Sequence, residues 1–113
     1  MSAVGRAVTH FNEGDTVFGM LDVFKGGAYA EFVKVKVKVK VKVKVKVKGN
    51  EVYHKPDNID FEEAASLPLV TLTAYQALVH VAQIKPDAHV LVNGCTGGVG
   101  IAAVQIAKEM GAK

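Results

Sequence analysis

Hydrophobic and polar residues follow two different periods along the chain. In the first half, short apolar runs stand between glycine-containing turns, and such runs predict strands. The three runs are 16–24, 28–33 and 52–54. Their shortness and the turns between them predict antiparallel strands joined by tight connections.

The second half has the period of helices. Asp60 is a predicted N-cap, because acidic residues follow it in the first turn of a helix that opens at Phe61. Pro68 is expected to interrupt that helix, with apolar positions resuming at helical spacing from Leu69. The Lys85-Pro86 pair is expected to end it.

A strand, a glycine-rich loop and a helix are predicted next. The run 89–93 is apolar throughout its centre, as in a buried parallel strand, and 94–100 contains four glycines. Apolar residues then line one face of a helix that Gly111 would close. The whole pattern predicts a mixed α/β fold.

The glycine loop carries the clearest chemical signal. Glycines after a strand let the main chain approach a diphosphate, and the free N–H groups of the following helix attract its charge. Gly97 would permit that approach, and Gly100 would let the helix pack against the strand. Thr96 would donate its hydroxyl to a phosphate or cap the helix. Cys95 replaces the first glycine of the G-x-G-x-x-G pattern, and an ordinary tight turn without a ligand is the alternative.

Eight consecutive Val-Lys pairs, 33–48, account for the basic character of the chain. They hold eight of its 14 Lys and Arg residues, which leaves six against 11 acidic residues and a charge of −5 elsewhere. The basicity therefore does not predict a specific nucleic-acid surface. One hypothesis makes the run an expansion grafted into an ordinary hairpin loop. The other makes it a cationic β-forming segment that self-associates or binds polyanions.

Several other functions are not supported by the sequence. Cys95 is the only cysteine, so an internal disulfide is impossible, and the four histidines have no metal-ligand spacing. No signal peptide is recognisable, and no stretch reaches the roughly 20 apolar residues of a membrane helix. The expected setting is cytoplasmic, with no membrane partner.

Three stretches in this order resemble the medium-chain dehydrogenase/reductase superfamily and, within it, the zinc-independent quinone oxidoreductase branch. They are GDTVFGMLDVFKGGAYAEFV, FEEAASLPLVTLTAYQAL and KPDAHVLVNGCTGGVGIAAVQIAKEMGAK. The resemblance implies a partial GroES-like β-barrel followed by the first strand-loop-helix unit of a Rossmann domain. The implied domains are 1–60, a helical connector 61–87, and 88–113.

The resemblance also implies an activity and a site. Members transfer hydride from NAD(P)H to quinones or activated alkenes such as enones, with NADP expected rather than NAD and no zinc. The implied cofactor-binding residues are Thr73, Thr96, Gly97, Gly98 and Val99. Zinc-dependent relatives have a ligand cysteine just before the threonine at 73, and 69–72 offers none. The alternative for Thr73 is a hydroxyl bonded to its own helix.

No catalytic residue is identified by the resemblance. Members are roughly three times as long as this chain, so the chain is expected to be a fragment that is inactive alone. The residue that selects between ribose hydroxyl and phosphate is expected about 20 positions after the loop, beyond Lys113.

Overall fold

The computed structural model describes residues 1–22, 24, 26–37 and 51–113. The chain divides into two compact units, Met1–Ala65 and Ser66–Lys113. Val23, Lys25 and most of the predicted Val-Lys strand lie outside the described residues.

A two-stranded antiparallel sheet organises the first unit. Strand β1, Val17–Gly19, pairs with β2, Val52–His54, so that Phe18 lies opposite Tyr53. The strand predicted over 52–54 is confirmed as β2. The strand predicted over 16–24 is shorter than expected: beyond Val17–Gly19, the described residues continue the pairing only by single bonds at its two ends, Met20 N–H to the Glu51 carbonyl and Lys55 N–H to the Thr16 carbonyl. The segment 28–33 is not a strand.

The segment before β1 folds back onto the sheet through a turn at residues 12–15. The backbone N–H of Asn12 donates to the Asp15 carboxylate at 2.8 Å, and that of Asp15 donates to the Asn12 carbonyl at 3.2 Å. Phe11 is buried and stacks on the His54 ring with centroids 4.7 Å apart. The turn predicted from the Asn-Glu-Gly-Asp sequence is therefore confirmed.

Lys36, in the second pair of the Val-Lys run, is hydrogen-bonded to Glu51, which follows the run. The Glu51 backbone N–H donates to the Lys36 carbonyl at 3.1 Å, and the Glu51 carboxylate accepts from the Lys36 backbone N–H at 2.6 Å. Glu51 also accepts at its carbonyl from the Met20 backbone N–H at 3.0 Å. Lys36 and Glu51 thus form a hairpin-like junction, and the expansion hypothesis stays a prediction.

Helix α1, Phe61–Tyr75, begins with a reciprocal cap. The Glu63 backbone N–H donates to Asp60 Oδ1 at 2.7 Å, and the Asp60 backbone N–H donates to Glu63 Oε2 at 3.1 Å. This capping box satisfies two otherwise unpaired donors at the helix start. The prediction of Asp60 as N-cap is confirmed.

Pro68 lies inside α1 without ending it, so the predicted interruption is wrong. Proline removes one helical hydrogen bond and crowds the carbonyl four residues earlier, at Ala64. Both Pro68 and Ala64 are buried. Burial of these two residues offsets the tendency of proline to end a helix. This burial could not be predicted from the sequence pattern alone.

A π-helix, Gln76–Val81, continues α1 directly. Its widened turn is marked by the Ala82 backbone N–H donating to the Ala77 carbonyl at 2.8 Å. The helical segment Phe61–Val81 is 21 residues long and, by length and apolar composition alone, could cross a membrane. The expectation that no stretch reaches this length is wrong, because Pro68 does not divide the segment.

Helix α2, Gly98–Glu109, ends as predicted at Gly111. Gly111 has φ of 77°, its N–H donates to the Lys108 carbonyl at 2.9 Å, and the Ala112 N–H donates to the Ala107 carbonyl at 2.9 Å. This bond pair is a Schellman motif. The inward face holds Gly100, Ala103 and Ala107, all buried, and α2 packs against the π-helix.

The run 89–93 is not a regular strand, and Leu91 is 95% exposed. The predicted buried strand is therefore wrong for this chain. Its backbone neighbour in the described part of the chain is Lys113, whose N–H donates to the Ala88 carbonyl at 2.8 Å while its carbonyl accepts from Val90 at 2.8 Å. This is a single parallel bridge, too little pairing to make a ladder.

Candidate dinucleotide-binding loop

The loop between Asn93 and Gly98 is a tight turn closed by its own backbone. The Gly97 N–H donates to the Gly94 carbonyl at 3.1 Å, and Gly94 has φ of 75°, which favours glycine. A Cβ at Gly94 would meet nothing within 4 Å. The outer side of the turn is therefore open rather than filled by side chains.

Gly100 is required by the packing of this loop. A Cβ there would lie 2.2 Å from the Gly94 carbonyl oxygen and 2.7 Å from the Cys95 Cα, both backbone atoms. The predicted role of Gly100 in close packing is confirmed, with the loop rather than the strand as its neighbour. Gly98 has a related role, because its Cβ would lie 2.9 Å from Val70 Cγ1 on α1.

Gly97 is different, because the fold itself does not require glycine there. Its φ of −79° and ψ of 159° suit any residue, and a Cβ would make only an ordinary contact of 3.5 Å with the Gly94 carbonyl oxygen. Gly97 is the N-cap of α2, and no side chain caps the helix. The absence of a side chain at this position leaves the helix end accessible.

The start of α2 presents main-chain donors at this open side. The first N–H groups of any helix, here those of Gly98, Val99 and Gly100, have no partner within the helix. The peptide dipoles add a partial positive charge at the same end. No carboxylate stands in the first turn of α2 to neutralise that charge. The arrangement suits an anionic ligand.

The predicted cofactor residues form two groups in the second unit. Thr96, Gly97, Gly98 and Val99 are consecutive and all exposed at the loop and first turn of α2. The interpretation of Thr96 as a cap is wrong, since Gly97 caps the helix; its hydroxyl remains a predicted phosphate donor. Thr73 is exposed on α1, one turn after Val70, and its Oγ1 donates to the Leu69 carbonyl at 2.8 Å.

The sequence pattern did not reveal two contributions to the loop. Val70 sets how closely α1 approaches Gly98. In the sequence, the only indication of this role was that Val70 lies one turn before Thr73. The bridge from Lys113 holds the segment leading into the loop, and Lys113 Nζ also pairs with Asp87 Oδ1 at 2.7 Å. Cys95 is exposed and lies within the turn.

Two further features of the described residues bear on the site. A cavity of about 860 Å³ lies in the first unit, and none of the predicted cofactor residues lines it. Within the described ranges, no group of three or more His, Cys, Asp or Glu residues is placed to hold a metal ion. The loop is therefore the place where the predicted ligand chemistry and the geometry coincide.

Known proteins are similar to the whole chain. No protein-family model matches it. A quinone oxidoreductase of Pongo abelii is 36% identical over 113 residues, which is all of this chain and 30% of that protein. The chain thus spans less than a third of the length of this relative.

Solved structures are also similar to this chain and also cover only part of their own length with it. The CurK enoyl reductase superposes with a TM-score of 0.69 at 34% identity, over 98% of this chain and 29% of its own. The quinone oxidoreductase of Thermus thermophilus, whose complex with NADPH is known, gives 0.52 at 41% identity over 56% of this chain and 21% of its own. At 34% and 41% identity, the similarity to these two proteins is one of sequence as well as of fold.

Proposed function

The chain belongs to the medium-chain dehydrogenase/reductase superfamily, on the quinone oxidoreductase branch, and we propose that it is part of an NAD(P)H-dependent oxidoreductase whose dinucleotide lies at the 94–100 loop. Its first unit would belong to a GroES-like domain and its second to a Rossmann domain. Hydride transfer would be the activity of the longer protein that such units build.

Gly97 is the observation that carries the proposal. Gly94, Gly98 and Gly100 each have a reason within the fold, whereas Gly97 has an ordinary conformation and room for a side chain. A glycine without a structural reason, at a helix start with unpaired donors, is explained by the close approach of a diphosphate.

The residues around the loop have separate tasks in this proposal. The N–H groups of Gly98 and Val99 would bind the diphosphate, and Thr96 would donate its hydroxyl to a phosphate oxygen. Thr73 would lie at the nicotinamide end. Because its proton is held by the Leu69 carbonyl, its oxygen would act as an acceptor, which suits a carboxamide N–H.

The bound cofactor would supply a hydride to an electron-poor quinone or activated alkene. The names of the two solved relatives, an enoyl reductase and a quinone oxidoreductase, support these two acceptor classes. NADPH is proposed as the form bound, since the Thermus relative is known in complex with it. Zinc is not part of the proposed chemistry, and 69–72 provides no cysteine ligand.

Titration with NADPH tests the site on the chain itself. The chain has no tryptophan, so nucleotide fluorescence is followed without tryptophan emission. We expect saturable binding that Gly97→Ala weakens at least tenfold. Gly5→Ala is the matched control, because a Cβ at Gly5 meets only Val8 Cγ2 at 3.9 Å. Equal binding by both variants would remove the reason given for Gly97.

A further inference from the structure

Val70 on α1 fills the space that a side chain at Gly98 would need. A Cβ at Gly98 would lie 2.9 Å from Val70 Cγ1, 3.7 Å from its Cβ and 4.0 Å from its Cγ2. The first of these distances is shorter than real Cβ contacts, so the branched valine and the glycine form a matched pair. The first residue of α2 therefore packs against one methyl group of α1.

This contact lies at the edge of the helix pair rather than in its core. Val70 is half-buried and Gly98 is exposed, whereas Ala74, one turn further along α1, is 1% exposed. A methyl group at such an edge removes little apolar surface from water, so its contribution to stability is small. The contact is distinguished by its place beside the loop.

Thr73 is the neighbour of Val70 on the surface of α1, because residues three apart in a helix lie side by side. Thr73 Oγ1 donates to the Leu69 carbonyl at 2.8 Å, and this bond fixes the direction of the oxygen lone pairs. The position of Thr73 relative to Gly98 is therefore set by α1 itself and by the contact that Val70 makes with α2.

A dinucleotide would be bound by both groups at once. In the proposed function, the Gly98 N–H binds the diphosphate and the Thr73 oxygen accepts a hydrogen bond from the carboxamide. The two parts of the cofactor are covalently joined, so both bonds form only where the two protein groups have the matching separation. Hydrogen bonds weaken beyond about 3.2 Å, so a small change in this separation weakens one of them.

We propose that Val70 is a positioning residue for the dinucleotide, because its contact with Gly98 sets the spacing between the diphosphate-binding start of α2 and Thr73. This inference rests on the proposed function. Val70 itself touches neither the diphosphate nor the nicotinamide, and it acts through the two helices that it holds at a fixed distance.

Calorimetric titration of the full chain with two ligands tests the inference. The ligands are NADPH and phospho-ADP-ribose, which is the same molecule without the nicotinamide. The parent chain should bind NADPH about fivefold more tightly than phospho-ADP-ribose, as expected for one additional hydrogen bond. Val70→Ala should lower the affinity for NADPH about fivefold and change that for phospho-ADP-ribose less than about twofold.

Three variants separate spacing from stability. Val70→Thr keeps the branched shape but is a poorer helix former than alanine, so it should destabilise the chain at least as much as Val70→Ala and still bind NADPH like the parent. Val70→Ala with Gly98→Ala brings two Cβ atoms to 3.7 Å, an ordinary contact, and should restore most of the NADPH affinity. Val104→Ala, the same truncation at an exposed position of α2, should change neither affinity.

The outcomes distinguish this inference from the proposed function. Equal losses for both ligands in Val70→Ala would indicate a general disturbance of the loop and overturn the inference alone. A Val70→Thr chain that loses as much NADPH affinity as Val70→Ala would have the same meaning, and so would a parent chain that binds both ligands equally. A parent chain that binds neither ligand would overturn the proposed function and this inference with it.

Discussion

Replacement of Gly97 by aspartate should stabilise α2 and weaken nucleotide binding at the same time. Gly97 already has the extended conformation of an N-cap, with φ of −79° and ψ of 159°. An aspartate carboxylate at the N-cap accepts a hydrogen bond from the second or third N–H of the helix. The same carboxylate would occupy the place assigned to the diphosphate.

The size of both effects follows from the geometry. Aspartate is better than glycine at an N-cap by a few tenths of a kcal/mol, and removing a glycine from the unfolded chain adds about 0.4–1 kcal/mol, so we expect a gain of about 1 kcal/mol. Repulsion between two unit charges about 4 Å apart is about 1 kcal/mol in water and about 4 kcal/mol near a protein surface. NADPH binding should weaken between about fivefold and about a thousandfold.

Two measurements on one variant separate the effects. Thermal unfolding followed by circular dichroism should show Gly97→Asp with a midpoint about 4 °C higher than that of the parent chain. NADPH fluorescence should show its affinity for the nucleotide lowered at least about fivefold. Gln105→Glu is the control, because it adds the same charge at an exposed position in the middle of α2.

Three results would refute the reasoning. A Gly97→Asp chain that melts earlier would show that the position is constrained by packing. A chain that melts later and still binds NADPH as tightly as the parent would place the dinucleotide elsewhere. Loss of binding in Gln105→Glu as well would reduce the effect to overall charge.

Three further substitutions test the packing and caps of the two units by thermal unfolding. Gly100→Ala should cost about 1–3 kcal/mol or more through overlap with the Gly94 carbonyl, whereas Gly5→Ala should be nearly neutral. Asp60→Ala should cost about 1 kcal/mol by removing the capping box, and Asp60→Asn much less. Gly111→Ala should cost about 1–2 kcal/mol, because φ of 77° is strained for alanine.

Each of these has an outcome that would contradict it. A Gly100→Ala chain as stable as Gly5→Ala would mean that the loop moves away at no cost. Equal melting of the Asp60→Ala and parent chains would show that the start of α1 is held by packing alone. If Gly111→Ala left the free energy of unfolding unchanged, residue 111 would not need its φ of 77°, and α2 would end before the Schellman motif.

Features fixed by local chemistry could be predicted from the sequence. The Asp60 cap, the Gly111 stop and the turn at 12–15 all depend on side chains or dihedral preferences within a few residues. Features that depend on distant partners could not. Pro68 stays helical because its surroundings bury it, and 89–93 lacks regular strand pairing because Lys113 is its only backbone hydrogen-bond partner among the described residues.

The candidate site, too, could be predicted from the sequence only in part. The glycine spacing predicted a loop at a helix start, and the open turn beside α2 agrees with it. The pattern assigned close packing to Gly100 and the approach of a ligand to Gly97. A Cβ would lie 2.2 Å from its nearest backbone atom at Gly100 and 3.5 Å at Gly97, so the distances confirm the packing role of Gly100, and the role of Gly97 stays a prediction. The cofactor roles of Thr73 and Thr96 stay predictions.

The direct bond between Lys36 and Glu51 has an evolutionary consequence. A two-residue repeat unit preserves parity: gaining or losing whole units keeps every flanking side chain on its original face, whereas a single inserted residue would reverse them. For an extended run, as the sequence predicts, we therefore expect copy number to change in whole two-residue units while the Lys36–Glu51 bond remains the same. Length variation among close relatives should accordingly be even.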